Sequence, residues 1–86
     1  MSWDEQSFLE KLEGTHQFPG NYTFKFIVKP IHQKMVEELI SGAEISLKPS
    51  SGNKYVSVTL SAHMNSSQEV VDIYKQAHQI EGIIAL

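Results

Sequence analysis

The chain contains no cysteine, so no disulfide, thiolate metal site or iron–sulfur cluster can brace it. Its 86 residues make one domain held by apolar packing alone, and a chain this short buries only about 60–65% of the surface its unfolded form exposes. Arginine is absent as well. All seven basic residues are lysine (Lys11, Lys25, Lys29, Lys34, Lys48, Lys54 and Lys75), set against ten acidic side chains for a formal net charge of −3. Bidentate recognition of phosphate, carboxylate or guanine is usually the work of arginine, and nucleic-acid affinity draws on a basic patch. A mildly acidic, arginine-free domain is therefore a poor candidate for nucleic-acid binding. No apolar run reaches the roughly 20 residues needed to span a bilayer. The acidic start, Met1-Ser2-Trp3-Asp4-Glu5, lacks the basic and apolar regions of a signal peptide. The expected location is cytoplasmic, with no membrane association.

What is present is a regular change of period along the chain. Ser2 and Glu5 stand at capping-box spacing ahead of an amphipathic helix from Asp4 to Glu13, with Phe8, Leu9 and Leu12 as its stripe and Gly14 as its end. Thr15 to Asn21 is a connector punctuated by Phe18-Pro19-Gly20. From Tyr22 to Lys29 the period drops to two, placing Tyr22, Phe24, Phe26 and Val28 on one face and Thr23, Lys25 and Ile27 on the other. Pro30 suits a first helical position, and Ile31, Met35, Val36 and Leu39 follow at helical spacing until Ser41-Gly42. Glu44 to Lys48 is a short strand expected to bury Ile45 and Leu47, and Pro49 to Asn53 is a turn.

Alternation returns from Tyr55 to His63, with Val56, Val58, Leu60 and Ala62 opposing Tyr55, Ser57, Thr59, Ser61 and His63. A second capping box, Ser66 and Glu69, opens a helix carrying Val70, Ile73, Tyr74 and Ala77. Ile80 to Leu86 reads as a final apolar strand. After the first helix the order is thus βαββαβ. Right-handed crossovers turn that order into an α+β ferredoxin-like two-layer sandwich, a four-stranded antiparallel sheet with two helices on one face. The expected organisation is an N-terminal helix and connector over residues 1–17 and a ferredoxin-like domain over residues 18–86.

The segments Phe18-Pro19, Tyr22-Thr23-Phe24-Lys25-Phe26, Lys48-Pro49-Ser50-Ser51, Tyr55-Val56-Ser57-Val58-Thr59 and Ile73-Tyr74 occur in this order. With them, the chain from Phe18 to Leu86 resembles the bacterial YbeD-like family, whose function is unknown. The resemblance implies a ferredoxin-like fold similar to ACT regulatory domains, which bind small effectors or pair with partner subunits. It implies no established reaction. The junction Val28-Lys29-Pro30-Ile31 lacks the glycine expected there, which counts against an amino-acid sensor.

The fold hosts many functions, so only particular residues can assign one. Acylphosphatase-like chemistry needs an arginine and copper-chaperone chemistry needs cysteines, and the chain has neither. His16, His32, His63 and His78 show no metal-ligand spacing, and no serine sits in a nucleophile elbow, so neither a metal, a cofactor nor catalytic residues are expected. Two segments are candidate ligand sites. The turn Ser50-Ser51-Gly52-Asn53, flanked by Lys48 and Lys54, reads either as an anion-binding nest or as a plain hairpin turn. The start of the helix after Pro30, near Lys29 and His32, offers N–H groups either to an anion or to water. A third candidate is a partner face on the open side of the sheet, formed by Lys25, Ile27, Tyr55, Ser57 and Thr59, with strand edges able to pair with a second chain. The leading expectation is a non-enzymatic regulatory or protein-interaction module that binds a protein partner or self-associates. The alternative is a sensor of a small anionic metabolite.

Overall fold

The computed structural model describes residues 4–86; for Ser51 it describes the backbone alone. The expected Ser2 cap and Trp3 lie outside the described residues. Helix α1 (Glu5–Thr15) is capped by Asp4, whose carboxylate accepts from the Ser7 N–H at 3.2 Å and the Ser7 hydroxyl at 2.8 Å. It runs through Gly14, one residue past the expected stop. Strand β1 (Gly20–Val28) follows the Phe18–Pro19 peptide bond, which is cis. A 3₁₀ turn (Pro30–His32) and the five-residue helix α2 (Gln33–Glu37) lead to strand β2 (Glu44–Pro49). Strand β3 (Val56–Met64), helix α3 (Ser67–Ala77) and the two-residue strand β4 (Ile84–Ala85) complete the chain.

The sheet order is β2-β3-β1-β4 and every neighbouring pair is antiparallel. This is the expected ferredoxin-like α+β sandwich. Phe24, Phe26 and Val28 on β1 stand beside Leu60, Val58 and Val56 on β3, and all six are buried. The helices close over that face. Val70, Val71, Tyr74 and Ala77 of α3 and Val36 of α2 join the core, together with Leu12, Met64 and Ile80. Tyr74 is its hub, with ring centroids 5.2 Å from Phe8, 5.3 Å from Phe24 and 5.6 Å from Phe26. Burial, then the nearby Tyr22 hydroxyl, pushes the Tyr74 phenol up, so it is neutral at every physiological pH.

Helix α1 lies against α3 rather than on the open face of the sheet. Leu12 is buried, Phe8 meets Tyr74 edge-on, and Glu13 accepts from the Ser67 hydroxyl at 2.8 Å. An exposed Lys75–Glu5 ion pair at 2.7 Å marks the same contact, and pairs of this kind contribute little.

Five residues after the end of each crossover helix, a glycine turns the chain toward the next strand. Gly42 and Gly82 hold φ of +79° and +73°, forty residues apart, and each follows an isoleucine two residues earlier. Ser66 caps α3 as expected by accepting from the Glu69 N–H. The return half of the box is displaced by one residue, since Glu69 accepts from the Asn65 N–H at 3.0 Å and the Asn65 side-chain amide at 3.1 Å. Those bonds hold the Glu69 carboxyl below its ordinary value of 4.5. A carboxyl depressed by folding stabilises the native state above its unfolded value, and the benefit is lost as pH falls through the folded one. The melting temperature should therefore drop on acidification below the ordinary value of 4.5. Thermal melts of Glu69→Gln should show a shallower drop.

Three expectations need correction. The helix expected from Pro30 to Ser41-Gly42 is instead a 3₁₀ turn and the five residues Gln33–Glu37, with Ile31 81% exposed and Met35 half exposed. A 3₁₀ turn advances about 120° per residue rather than about 100°, which rotates Ile31 away from Val36. Ile45 and Leu47 face the helix side, opposite Leu60 and Val58, yet remain 43% and 44% exposed. Five residues of α2 give about 7 Å of cover, whereas the six residues of β2 extend about 20 Å. The last strand is only Ile84–Ala85, since Ile80 packs into the core below α3 and Gly82 spends the intervening residues on the turn.

Candidate functional site

The turn between β2 and β3 is closed by its own hydrogen bonds. The Ser50 hydroxyl accepts from the Tyr55 N–H at 3.0 Å, the Ser50 N–H donates to the Tyr55 carbonyl at 2.8 Å, and the Asn53 N–H donates to the Ser50 carbonyl at 3.0 Å. Gly52 and Asn53 take the positive φ angles of +75° and +57° that the turn needs. Two N–H groups that a nest would turn toward an anion are thus consumed inside the hairpin. Lys48 and Lys54 are exposed on either side, and the side chain of Ser51 lies outside what is described.

At the other candidate, Lys29 precedes the 3₁₀ turn in an extended conformation and makes no side-chain cap. The His32 N–H donates to the Lys29 carbonyl at 2.9 Å, and the Gln33 N–H bonds to the Pro30 carbonyl. Lys29 is exposed and His32 half-buried. A three-residue turn followed by a five-residue helix carries too few aligned peptides to build an appreciable dipole there.

The two segments, read separately from the sequence, come together in space. Pro30 and Gln33 from one and Pro49, Asn53 and Tyr55 from the other line a cleft of about 300 Å³, with Leu47 and Val56 as further walls. Its walls are mainly apolar. Of the six expected ligand residues whose side chains are described, only Asn53 lines it; Lys29, His32, Lys48, Ser50 and Lys54 do not. The sequence gives no direct sign of this cleft, because the meeting of Pro30 with Leu47 depends on the crossover.

The opposite face of the sheet carries four of the five expected partner-face residues in register. Lys25 stands beside Thr59 and Ile27 beside Ser57, and the row continues through Ile84 next to Ile27. Leu86 donates its N–H to the Lys25 carbonyl at 2.9 Å and is 64% exposed. Tyr55 precedes β3, stays 41% exposed and belongs to the cleft instead. Toward β2 the face becomes polar. Thr23, Glu44, Ser46, Thr59 and Ser61 line a shallow depression of about 450 Å³, across which the Thr23 and Ser61 hydroxyls lie 3.3 Å apart. Its chemistry is that of hydroxyls and one carboxylate, without a base paired to a nucleophile.

A larger groove of about 650 Å³, which sequence reasoning missed, runs between the end of α1 and the start of α3. Glu13, His16, Phe18, Asn65 and Ser67 are among its walls. The Glu13 carboxylate is engaged by Ser67, His16 packs edge-on against Tyr22 at 5.0 Å, and Asn65 is held by Glu69. These side chains are occupied in joining α1 to the sheet and to α3. Among the described residues no three histidine, aspartate or glutamate side chains converge to hold a metal ion. Nor is any described helix long and apolar enough to cross a membrane.

No curated protein and no solved structure matches the chain. A family model does, over residues 13–86, beginning inside the last turn of α1 and taking in both crossovers and every strand. The chain belongs to the family described as protein of unknown function (DUF493), the YbeD-like family.

Proposed function

We propose that this domain is a non-enzymatic regulatory or protein-interaction module, acting in the cytoplasm, whose working surface is the open face of the sheet. The observation that carries this reading is the placement of all three helices on one side, which leaves Lys25, Ile27, Ser57 and Thr59 uncovered and Ile84 and Leu86 at least half exposed. A sheet face with an apolar corner and a polar remainder has the make-up of a protein interface, where apolar anchors sit beside hydrogen-bonding groups. The test is capture from a native lysate by the immobilised domain and by its Ile27→Lys and Ile84→Lys variants. Partners retained by the parent and lost by the variants support the reading. Equal capture by all three, or none by any, overturns it.

A second reading has its own observation. The cleft walled by Pro30, Leu47 and Tyr55 joins both segments expected to bind a ligand, and its mainly apolar lining suits an organic metabolite with a small polar group near Asn53. Amide shifts confined to Pro30–Gln33 neighbours and Asn53 on addition of pooled metabolites would favour sensing over protein interaction.

A further inference from the structure

We propose that two copies of this domain pair antiparallel along β2, about a twofold axis through Ser46, to form one continuous eight-stranded sheet. The inference rests on reading the domain as a protein-interaction module and names a partner for a surface other than the open face.

Strand β2 occupies one end of the sheet order, so one side of its backbone pairs with β3 and the other is free. All six of its residues are exposed. An unpaired strand of this length is a template for another strand. Its sequence, Glu44-Ile45-Ser46-Leu47-Lys48, is complementary to itself when reversed. With Ser46 opposite Ser46, Glu44 of each copy faces Lys48 of the other, giving two opposite-charge pairs on the open side of the sheet. Ile45 of each copy then faces Leu47 of the other, giving two apolar pairs on the helix side. Those are the two aliphatic side chains that α2 is too short to cover.

The same charges reject the competing arrangements. Parallel, in-register pairing would set Glu44 against Glu44 and Lys48 against Lys48, and a two-residue slip would leave both charges without a partner. Lysine and proline on an edge normally discourage pairing. Here Lys48 obstructs other strands while matching this one, and Pro49 lies beyond the paired stretch. The apolar cleft borders the interface, since Leu47 and Pro49 line it, so the second copy's Ile45 would sit at its margin.

Sedimentation equilibrium of the full chain from about 10 μM to 1 mM at low salt covers the range in which so small an interface assembles. The parent should fit a monomer–dimer equilibrium. Lys48→Glu and Glu44→Lys should each weaken it about tenfold, because each reversal turns both symmetry-related pairs into like charges. The double variant Glu44→Lys/Lys48→Glu should restore it. Both positions are exposed, and unchanged amide spectra would confirm that the variants remain folded. A parent that stays monomeric throughout overturns the proposal, as does a dimer indifferent to the single reversals. If Ile84→Lys abolishes partner capture while the parent remains a monomer, β2 pairing fails and the open-face reading stands.

Discussion

A chain beginning at Phe18 should be about 3–5 kcal/mol less stable than the whole, at ~1.5–3 kcal/mol for each large apolar side chain fully buried. Leu12 is buried and Phe8 and Leu9 are packed against the same core, so the truncation removes one complete and two partial apolar contacts. It also uncovers the outer side of α3, including the ring edge of Tyr74 that Phe8 covers. Domains of this size hold only about 5–15 kcal/mol in total, so the loss would be a large share. Urea denaturation measures it through the shift in midpoint. A truncated domain that unfolds at the parent's midpoint would mean instead that α1 is a detachable arm whose apolar residues serve a partner.

The second large effect is expected at Tyr74. Replacing this ring by alanine should cost about 3–5 kcal/mol, the range seen when buried aromatic side chains are truncated. Three rings converge on it from α1 and β1, so its removal leaves a space between them. Tyr74→Phe separates packing from hydrogen bonding. The two tyrosine hydroxyls at positions 22 and 74 are 3.5 Å apart, at the outer limit of a hydrogen bond, so losing one should cost less than about 1 kcal/mol. Chemical denaturation of both variants gives the comparison. Equal losses would place the energy in the hydroxyl rather than the ring. Tyr74→Ala and the Phe18 truncation share the Phe8–Tyr74 contact, so their combined effect should be smaller than their sum.

The parts of the fold that can be read from the sequence are those where one residue pattern has one structural outcome. Alternation over Tyr22–Lys29 and Tyr55–His63 identifies the two central strands and their buried faces, because a strand covered on one side must repeat every two residues. Gly42 marks the turn before β2 because an L side chain resists its left-handed backbone. Where spacing misleads, the outcome depends on neighbours far along the chain. Whether Ile45 and Leu47 are covered is decided by the length of α2, and spacing alone shows neither the 3₁₀ turn at Pro30 nor its rotation of Ile31. The shortness of β4 was hidden because Ile80, Ile83 and Ile84 are equally apolar, although Ile80 belongs to the core and Ile84 to the surface.

The candidate surfaces were legible to a similar degree. Lys25, Ile27, Ser57 and Thr59 share a face because period two puts them there, whatever the tertiary structure. Side-chain type and closeness to free N–H groups single out Lys29, His32, Lys48 and Lys54 in the sequence. The structure spends part of those N–H groups within the turns and forms its cleft from apolar neighbours instead. A cleft of that kind is a property of the crossover, and only three-dimensional placement brings Pro30 to Leu47.

The disparity between the two outer strands bears on how far strand addition could propagate. A molecule that presents a pairing-competent strand at both margins can add neighbours without end, which is how ordered aggregates grow. This domain presents six residues at one margin and two at the other. A two-residue strand offers too little backbone to capture another chain, so growth that starts on the long side has nowhere to continue. Shortening the final strand to two residues thus acts as a chain terminator built into the monomer.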